Sequence, residues 1–185
     1  MVEKRGHYQL TVLVIFVVLA FAIGYTTPHG NTGSASSQSS SLNYQGSVCV
    51  YKNGNLVDCS HNLLYNNGQN ITRDLLGVGS NSPILNITLC NASAGCAAPV
   101  AGGSEAFTNF TGCGLTSAQG TYSALTNAPG NWSVVKTFTS TCDSITTNST
   151  RLTNVTGGIF AGNTFSLVTL QTNDQLTINW TLMVS

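Results

Sequence analysis

The stretch near the end of the chain, residues 176–184, constrains the fold most, because its side chains alternate without a break. Leu176 and Val184 begin and end a set of apolar residues at every second position, and all but Met183 of the residues between are polar. Successive side chains on a β-strand point to opposite faces, so this pattern predicts a strand with one face in a core. Trp180 is predicted to be buried. Asn179 opens an Asn-Trp-Thr sequon and is predicted to be exposed, because a glycan cannot lie in a core.

Turn signals and short apolar runs predict further strands along the chain. The dipeptide Asn53-Gly54 lies between two apolar runs, which is typical of a β-hairpin, and Asn173-Asp174 predicts the turn before the last strand. The remaining strands are expected at residues 83–90, 105–111, 122–125, 131–139, 144–156 and 164–170. One helix is expected at residues 67–76, with Ile71 and Leu75 on a shared face and Gly77 as its end.

These elements together predict an all-β fold. About eight or nine short strands with one short helix favour an antiparallel two-sheet sandwich, Ig-like or jelly-roll-like, preceded by an N-terminal hydrophobic helix. The folded domain is expected to span residues 47–185, and the sequence contains no repeats of solenoid length.

The first 46 residues differ in composition from the rest. Lys4 and Arg5 precede an apolar run at residues 10–23, so residues 1–26 are interpreted as an export segment. Three versions stay open: a cleaved secretory signal, an uncleaved membrane anchor, or a pilin-type helix that is processed after Gly6 and retained. Residues 27–46 are rich in Ser and Gly, which is typical of a flexible tether or a donor segment that orders in a neighbouring copy.

Charged residues are scarce, at six of each sign in 185 residues, and the net charge is zero. A surface with so few Lys and Arg cannot neutralise a row of phosphates, which argues against nucleic acid as a partner.

The six cysteines indicate disulfides, because their spacing fits no zinc site and an export segment precedes them. Six cysteines allow 15 pairings, and their number alone does not choose among these. Pairing of nearest neighbours is predicted: Cys49 with Cys59 across the first hairpin, Cys90 with Cys96 around a short polar loop, and Cys113 with Cys142 as the remaining pair.

The chain carries eight N-glycosylation sequons, so N-linked glycans are expected. The alternative is a Thr- and Asn-rich β surface that is never modified. The acceptor residues are Asn70, Asn86, Asn91, Asn109, Asn131, Asn148, Asn154 and Asn179.

No catalytic motif is present, and the acidic residues are scattered. His61 is the one histidine within the expected domain, and a surface role is favoured for it. No enzyme activity, metal, cofactor or small-molecule substrate is therefore expected.

Two segments resemble parts of known structural proteins. Residues 67–76 are similar to a short helix of β-rich viral and phage-tail proteins, and residues 160–166 with 174–181 are similar to their closing hairpin. The leader, the tether and the charge-poor β domain resemble archaeal extracellular filament subunits, pilin-like or thread-like. This resemblance implies assembly into a homopolymer and carries over no functional residue.

The expected function is a structural subunit of an extracellular cell-surface filament, assembled from copies of itself by strand addition. The segment just before Val48 is the expected donor strand, and a membrane contact is expected at least during export. Two alternatives remain: a membrane-tethered surface or virion protein, and a secreted binding module.

Overall fold

Two antiparallel β-sheets of five strands each form the part of the chain that the structure describes. The structure is a computed structural model, and it describes residues 43–77, 79 and 82–184. The strand order is β2-β1-β10-β7-β6 in sheet A and β3-β9-β8-β4-β5 in sheet B.

The strands and the helix have the following bounds: β1 Tyr44–Lys52, β2 Asn55–His61, β3 Leu63–Leu64, α1 Asn66–Gly77, β4 Ile84–Leu89, β5 Ala118–Gln119, β6 Thr121–Ala124, β7 Asn131–Thr139, β8 Ile145–Asn154, β9 Ile159–Leu170 and β10 Gln175–Val184. A 3₁₀ turn, Ala92–Ala94, lies in the irregular segment between β4 and β5.

Sheet A is built around β10, which pairs with β1 on one side and with β7 on the other. The β1–β2 hairpin turns at Asn53 and Gly54, whose φ angles are both positive, as a two-residue type I′ turn requires. On β10, Trp180 is fully buried, so the predicted register of the C-terminal strand is confirmed.

Sheet B has an unusually polar central strand, β8. Two of its buried hydroxyl groups are hydrogen-bonded, as is usual for buried polar groups, whereas Thr147 Oγ1 is buried without a hydrogen-bond partner. Ser149 Oγ donates to the carbonyl of Asn163 at 3.0 Å, and Thr150 Oγ1 donates to the carbonyl of Thr88 at 3.0 Å. A Thr-rich sequence is therefore compatible with a central strand here.

The core lies between the two sheets, and the irregular segment after β4 closes one end of it. Phe110 and Leu115 from this segment are buried in the core. Gly114 lies against the backbone of Thr139, the last residue of β7, and the disulfide of Cys113 with Cys142 holds the segment there. At the opposite end, where β1 begins and β10 finishes, helix α1 lies beside the sheets.

Three predictions about the elements need correction. The strand expected at residues 105–111 does not form; the segment makes isolated bridges from Phe107 to Cys96 and from Asn109 to Cys90. The domain begins at Tyr44 in β1, three residues before the expected boundary, so the end of the expected tether already pairs with β10. Ten strands are present among the described residues, one or two more than expected.

The predicted two-sheet antiparallel architecture with one helix is confirmed for this part of the chain. The N-terminal hydrophobic helix was predicted in residues 1–26, which lie outside the described residues.

Candidate binding cleft

An open apolar cleft of about 680 Å³ lies at the end of the sandwich where β1 begins, between helix α1 and sheet A. Its sides are Leu75 and Leu76 of α1, and Tyr122, Leu125 and Trp132 from the region of β6 and β7. Among the described residues that line it, none is charged. Covering the apolar surface of such a cleft with another apolar group is favourable, because it removes that surface from water.

The apolar side chains in this cleft are unusually exposed. Leu76 is 72% exposed and Tyr122 is 55% exposed, and Leu75 and Leu125 are also on the surface. Single exposed apolar residues are common, but a cluster of them marks an interaction site. The four residues come from two separate parts of the chain, so the fold and not one sequence run creates the patch.

The cleft exists because sheet B ends early at this corner. The edge strand of sheet B, β5, has just two residues, and the chain crosses from it through Gly120 into β6 of sheet A. All four side chains of β6 are exposed. Tyr122 and Ala124 therefore face the cleft with no strand of sheet B over them.

The outer edge of β6 is also unpaired in the described part of the chain. Strand β6 pairs with β7 alone, and Leu125 N–H donates to the carbonyl of Asn131 at 3.0 Å just after the strand. Hydrogen-bonding direction alternates along an antiparallel strand, so Thr121 and Ser123 bond toward β7. Tyr122 and Ala124 then direct their N–H and carbonyl groups to the open side, where another strand could pair with them.

A second pocket of about 550 Å³ adjoins the first and extends the groove along helix α1. The two pockets share Tyr44, Thr72, Leu76 and Val184. The groove thus runs from the β6 edge across the ends of β1 and β10, which suits an elongated occupant better than a compact one.

Tyr44 places this groove at the point where the N-terminal region joins the domain. It is the first residue of β1 and lines both pockets. Burial raises the pKa of Tyr44 far above its usual range, and Asn62 Nδ2 donates to its hydroxyl at 2.7 Å. Its phenol stays neutral at any ordinary pH and adds no charge to the groove, where Arg73 in the second pocket is the charged residue among the described lining.

The long edge of β9, in contrast, is closed by side chains from β1 and β2. Asp58 accepts from the N–H of Ser166 at 2.7 Å, and this bond holds the pKa of the Asp58 carboxyl below its usual value. Ser60 Oγ donates to the carbonyl of Thr164, and Lys52 Nζ donates to that of Thr169. A charged side chain on an edge blocks the addition of another strand. The few charges of this chain are therefore used where an open edge would otherwise be longest.

The most buried ion pair in the described residues joins Glu105 and Arg151. Arg151 Nη2 donates to Glu105 Oε1 at 2.6 Å, the Tyr65 hydroxyl donates to the same oxygen, and the Arg151 guanidinium lies 4.1 Å from the ring centroid of Phe107. Burial acts against ionisation of Glu105, but these hydrogen bonds outweigh it and lower its pKa. Burial and the bond to Glu105 raise the pKa of Tyr65 to about 12. The two charges pair with each other, although Arg151 Nε is buried without a hydrogen-bond partner, and the cluster fixes the irregular segment on sheet B.

The other acidic groups of the described residues are also engaged in structural contacts. Asp174 accepts from Lys52 at 2.9 Å and Asp143 accepts from the N–H of Thr172 at 2.8 Å, both at turns. Asp74 pairs with Arg73 on α1, and His61 is exposed on β2. No group of three or more His, Cys, Asp or Glu within the described ranges could hold a metal ion.

The structure contains three disulfides, and they join the pairs expected from the sequence: Cys49–Cys59, Cys90–Cys96 and Cys113–Cys142. Cys49 and Cys59 are direct partners in the β1–β2 register. Cys90 and Cys96 close the loop that contains the 3₁₀ turn. Three disulfides are compatible with an oxidising, extracellular environment.

The eight sequon asparagines differ in accessibility. Asn70 on α1 and Asn109 are exposed, whereas Asn154 is 4% exposed. Asn154 Oδ1 accepts from Gly158 N–H at 2.6 Å, and the burial of this side chain argues against a glycan on its amide nitrogen in the folded turn. The remaining five are partly buried: Asn86, Asn91, Asn131, Asn148 and Asn179.

The prediction that Asn179 is exposed was wrong in degree. Asn179 lies on the outer face of sheet A, as predicted, but it is partly buried and its Oδ1 is enclosed. The reason is that β10 is a central strand, so Cys49 and Val135 flank Asn179 on both sides. The alternation of side chains predicts the face but not the position of the strand in the sheet.

Sequence reasoning did not find the cleft. Leu75 was predicted to share a face of α1 with Ile71; Ile71 is buried, whereas Leu75 is 37% exposed at the cleft. The one signal in the sequence was the pair Leu75-Leu76, which puts apolar residues on two faces of a short helix. Tyr122 and Leu125 carry no such signal, because their exposure depends on the short length of β5.

Comparisons of this chain with protein-family models, with curated proteins and with solved structures found no match. The resemblance to archaeal filament subunits and to phage-tail proteins accordingly stays a prediction. No helix within residues 43–77, 79 and 82–184 is long and apolar enough to cross a membrane.

Proposed function

We propose that this protein is a structural subunit of an extracellular cell-surface filament, pilus-like or thread-like, which assembles non-covalently with copies of itself. The observation that carries the proposal is the apolar cleft beside the open edge of β6, at the end of the domain where the N-terminal region joins. Strand addition needs both features: unpaired backbone groups supply hydrogen bonds, and a groove for alternate side chains supplies specificity.

The closed edge of β9 supports a directed assembly. Asp58, Ser60 and Lys52 occupy that edge, which leaves β6 as an edge that lies next to apolar surface. An edge that is open at one place and blocked at another favours a defined contact over random aggregation. Three disulfides and a low charge fit a domain that works outside the cell.

N-linked glycans form a second part of the proposal. Asn70 and Asn109 are the exposed sequon residues, and glycans there would cover polar surface. No cofactor, no nucleic acid and no catalytic role belong to the proposal.

Electron microscopy of the surface of cells that produce the full chain tests the proposed function. Filaments that label with an antibody against residues 43–184 are expected, and mass spectrometry of the same material should find the three disulfides intact. A chain that stays monomeric on the surface and in the medium at every concentration contradicts the proposal.

A secreted binding module is the second candidate, because 680 Å³ lies within the usual range of about 300–1,000 Å³ for small-ligand pockets. Native mass spectrometry separates the two functions: a monomer with a bound apolar molecule supports the module, and a ladder of oligomers supports the subunit. The third candidate, a membrane-tethered surface or virion protein, predicts an intact N-terminus in the mature chain.

A further inference from the structure

We infer that the cleft between α1 and β6 receives the apolar run at residues 10–23 of a second copy of this chain. The inference rests on the proposed function and names the segment that makes the contact between subunits. It replaces the Ser- and Gly-rich segment before Val48, which the sequence alone favoured as the donor.

The chemistry of the cleft selects among the segments that the chain offers. The cleft has no charged lining residue and exposes the side chains of Leu75, Leu76, Tyr122 and Leu125. Residues 31–43 hold just two apolar side chains, Ala35 and Leu42, so they would leave this surface uncovered. Residues 10–23 hold 13 apolar side chains in 14, with Thr11 as the exception. Covering apolar surface gains about 25 cal/mol per Å², so the second segment is strongly favoured.

The backbone of the donor segment also suits the β6 edge. Seven of the 14 residues from 10 to 23 are β-branched, a type that packs well on a pleated strand. A strand added beside Tyr122 and Ala124 would place every second side chain over the cleft. The other side chains of an added strand would face away from the cleft, where a further copy or a lipid surface could cover them.

The first residues of β1 explain why the segment before Val48 is not free to be the donor. Residues Tyr44 to Ser47 already pair with Val184 to Thr181 of β10 within the same domain. Release of these residues would break the β1–β10 ladder beside Trp180. The 19 residues from 24 to 42 then serve as the connection between the donor and its own domain, with a reach of about 22–26 Å for a flexible chain.

Photo-crosslinking of the full chain tests this inference. p-Benzoylphenylalanine replaces Tyr122 in the cleft, and in a control variant it replaces Leu56, an exposed residue of β2 on a different edge. Equal amounts of unlabelled and ¹⁵N-labelled chain are allowed to assemble, irradiated and digested. Mass spectrometry then identifies both crosslinked peptides and the isotope of each.

The expected result is a crosslink from position 122 to a peptide within residues 10–23, with mixed isotopes that prove contact between copies. The control at position 56 should lack it. Crosslinks to residues 24–42, to lipid, or between equal isotopes alone would overturn the inference, as would assembled material whose chains begin after Ala22. If filaments form in those cases, the proposed function stands and this contact is wrong. If copies neither assemble nor crosslink, the proposed function fails too.

Discussion

At the scale of single residues, the buried charges explain how a long irregular segment stays in place without strands. Glu105 lies in this segment with its side chain 2% exposed, and it is held by Arg151 of β8 and Tyr65. A buried carboxylate is stable only while its partners remain, because transfer of a charge out of water is costly. The segment should therefore depend on this cluster more than on its two isolated bridges.

Replacement of Arg151 tests this dependence. Arg151→Met leaves Glu105 buried without its ion partner and should lower the free energy of unfolding by about 3–5 kcal/mol in urea denaturation. The double variant Glu105→Gln, Arg151→Met removes both charges. Its free energy of unfolding should therefore fall by clearly less than the sum of the decreases for Glu105→Gln alone and Arg151→Met alone. Strictly additive losses would show that the two side chains do not act as a pair.

Trp180 is the largest fully buried side chain of the core. Trp180→Ala leaves a cavity between the sheets and should lower the free energy of unfolding by about 3–5 kcal/mol, measured by denaturation with urea. Tyr122→Ala is the matched control, because this aromatic residue is on the surface, and its cost should stay within about 0.5 kcal/mol. Equal decreases in the free energy of unfolding for the two variants would contradict the register of β10.

At the scale of elements, helix α1 forms one side of the cleft, and one glycine allows its close approach to sheet B. A Cβ at Gly68 would lie 2.1 Å from the carbonyl oxygen of Phe160 on β9. At Gly77, the last residue of the same helix, a Cβ would meet nothing within 4 Å. The two glycines of α1 thus have opposite roles in packing.

Alanine substitutions at these positions should therefore have opposite effects. Alanine in a helix is more favourable than glycine by about 1 kcal/mol. Gly77→Ala should keep or slightly raise the melting temperature of the full chain, whereas Gly68→Ala forces α1 away from β9 and should lower it. An increase in melting temperature for Gly68→Ala would mean that α1 does not pack this closely on β9.

The turns of two hairpins are joined by Asp174, and this contact should depend on pH. Hydrogen bonds from Gln171 N–H, Asn53 Nδ2 and Lys52 lower the pKa of Asp174 to about 2 from 3.8. A carboxyl with a lowered pKa in the folded state stabilises the fold above its ordinary pKa, and the effect disappears as the pH falls toward the lower value.

The melting temperature of Asp174→Asn measured against pH tests this. The variant should melt below the wild type at pH 6, and the difference should shrink between pH 4 and about 2 as Asp174 is protonated in the wild type. Asp58→Asn serves as a comparison, because its carboxyl also has a lowered pKa but caps a strand edge. A difference for Asp174→Asn that stays constant down to pH 2 contradicts the role of its charge.

The sequence predicted the elements that local rules determine and missed those that depend on distant neighbours. Asn53-Gly54 requires a tight hairpin, and that hairpin brings Cys49 opposite Cys59, so this disulfide follows from local chemistry. Alternation also placed Trp180 in the core. The burial of Asn179 depends on β1 and β7 as neighbours, and these pairings join residues far apart in the chain.

The segment from 105 to 111 and the cleft illustrate the same limit. A strand was predicted there, but Glu105 instead forms its buried ion pair, and a tertiary contact overrides the local preference. The cleft arises because β5 is short and α1 docks beside β6. No single stretch of sequence contains both facts.

At the scale of the whole molecule, the two ends of the sandwich differ in a way that favours directional assembly. One end is filled by Phe110 and Leu115 and closed by a disulfide. The other end exposes an apolar groove next to an unpaired strand. Contact between unlike surfaces of identical subunits is heterologous, and it produces open filaments when the rotation between subunits does not close a ring.

Assembly by leucine variants of the full chain tests the central claim most directly. Leu76 in the cleft and Leu167 on β9 are both highly exposed, at 72% and 62%, so Leu76→Gln and Leu167→Gln remove similar apolar surface at two places. Filament length and abundance are measured by electron microscopy, and the melting temperature of each variant shows that it is folded. We expect Leu167→Gln to form filaments like the wild type and Leu76→Gln to remain a folded monomer. Filaments of normal length and number from Leu76→Gln would contradict assembly through this cleft.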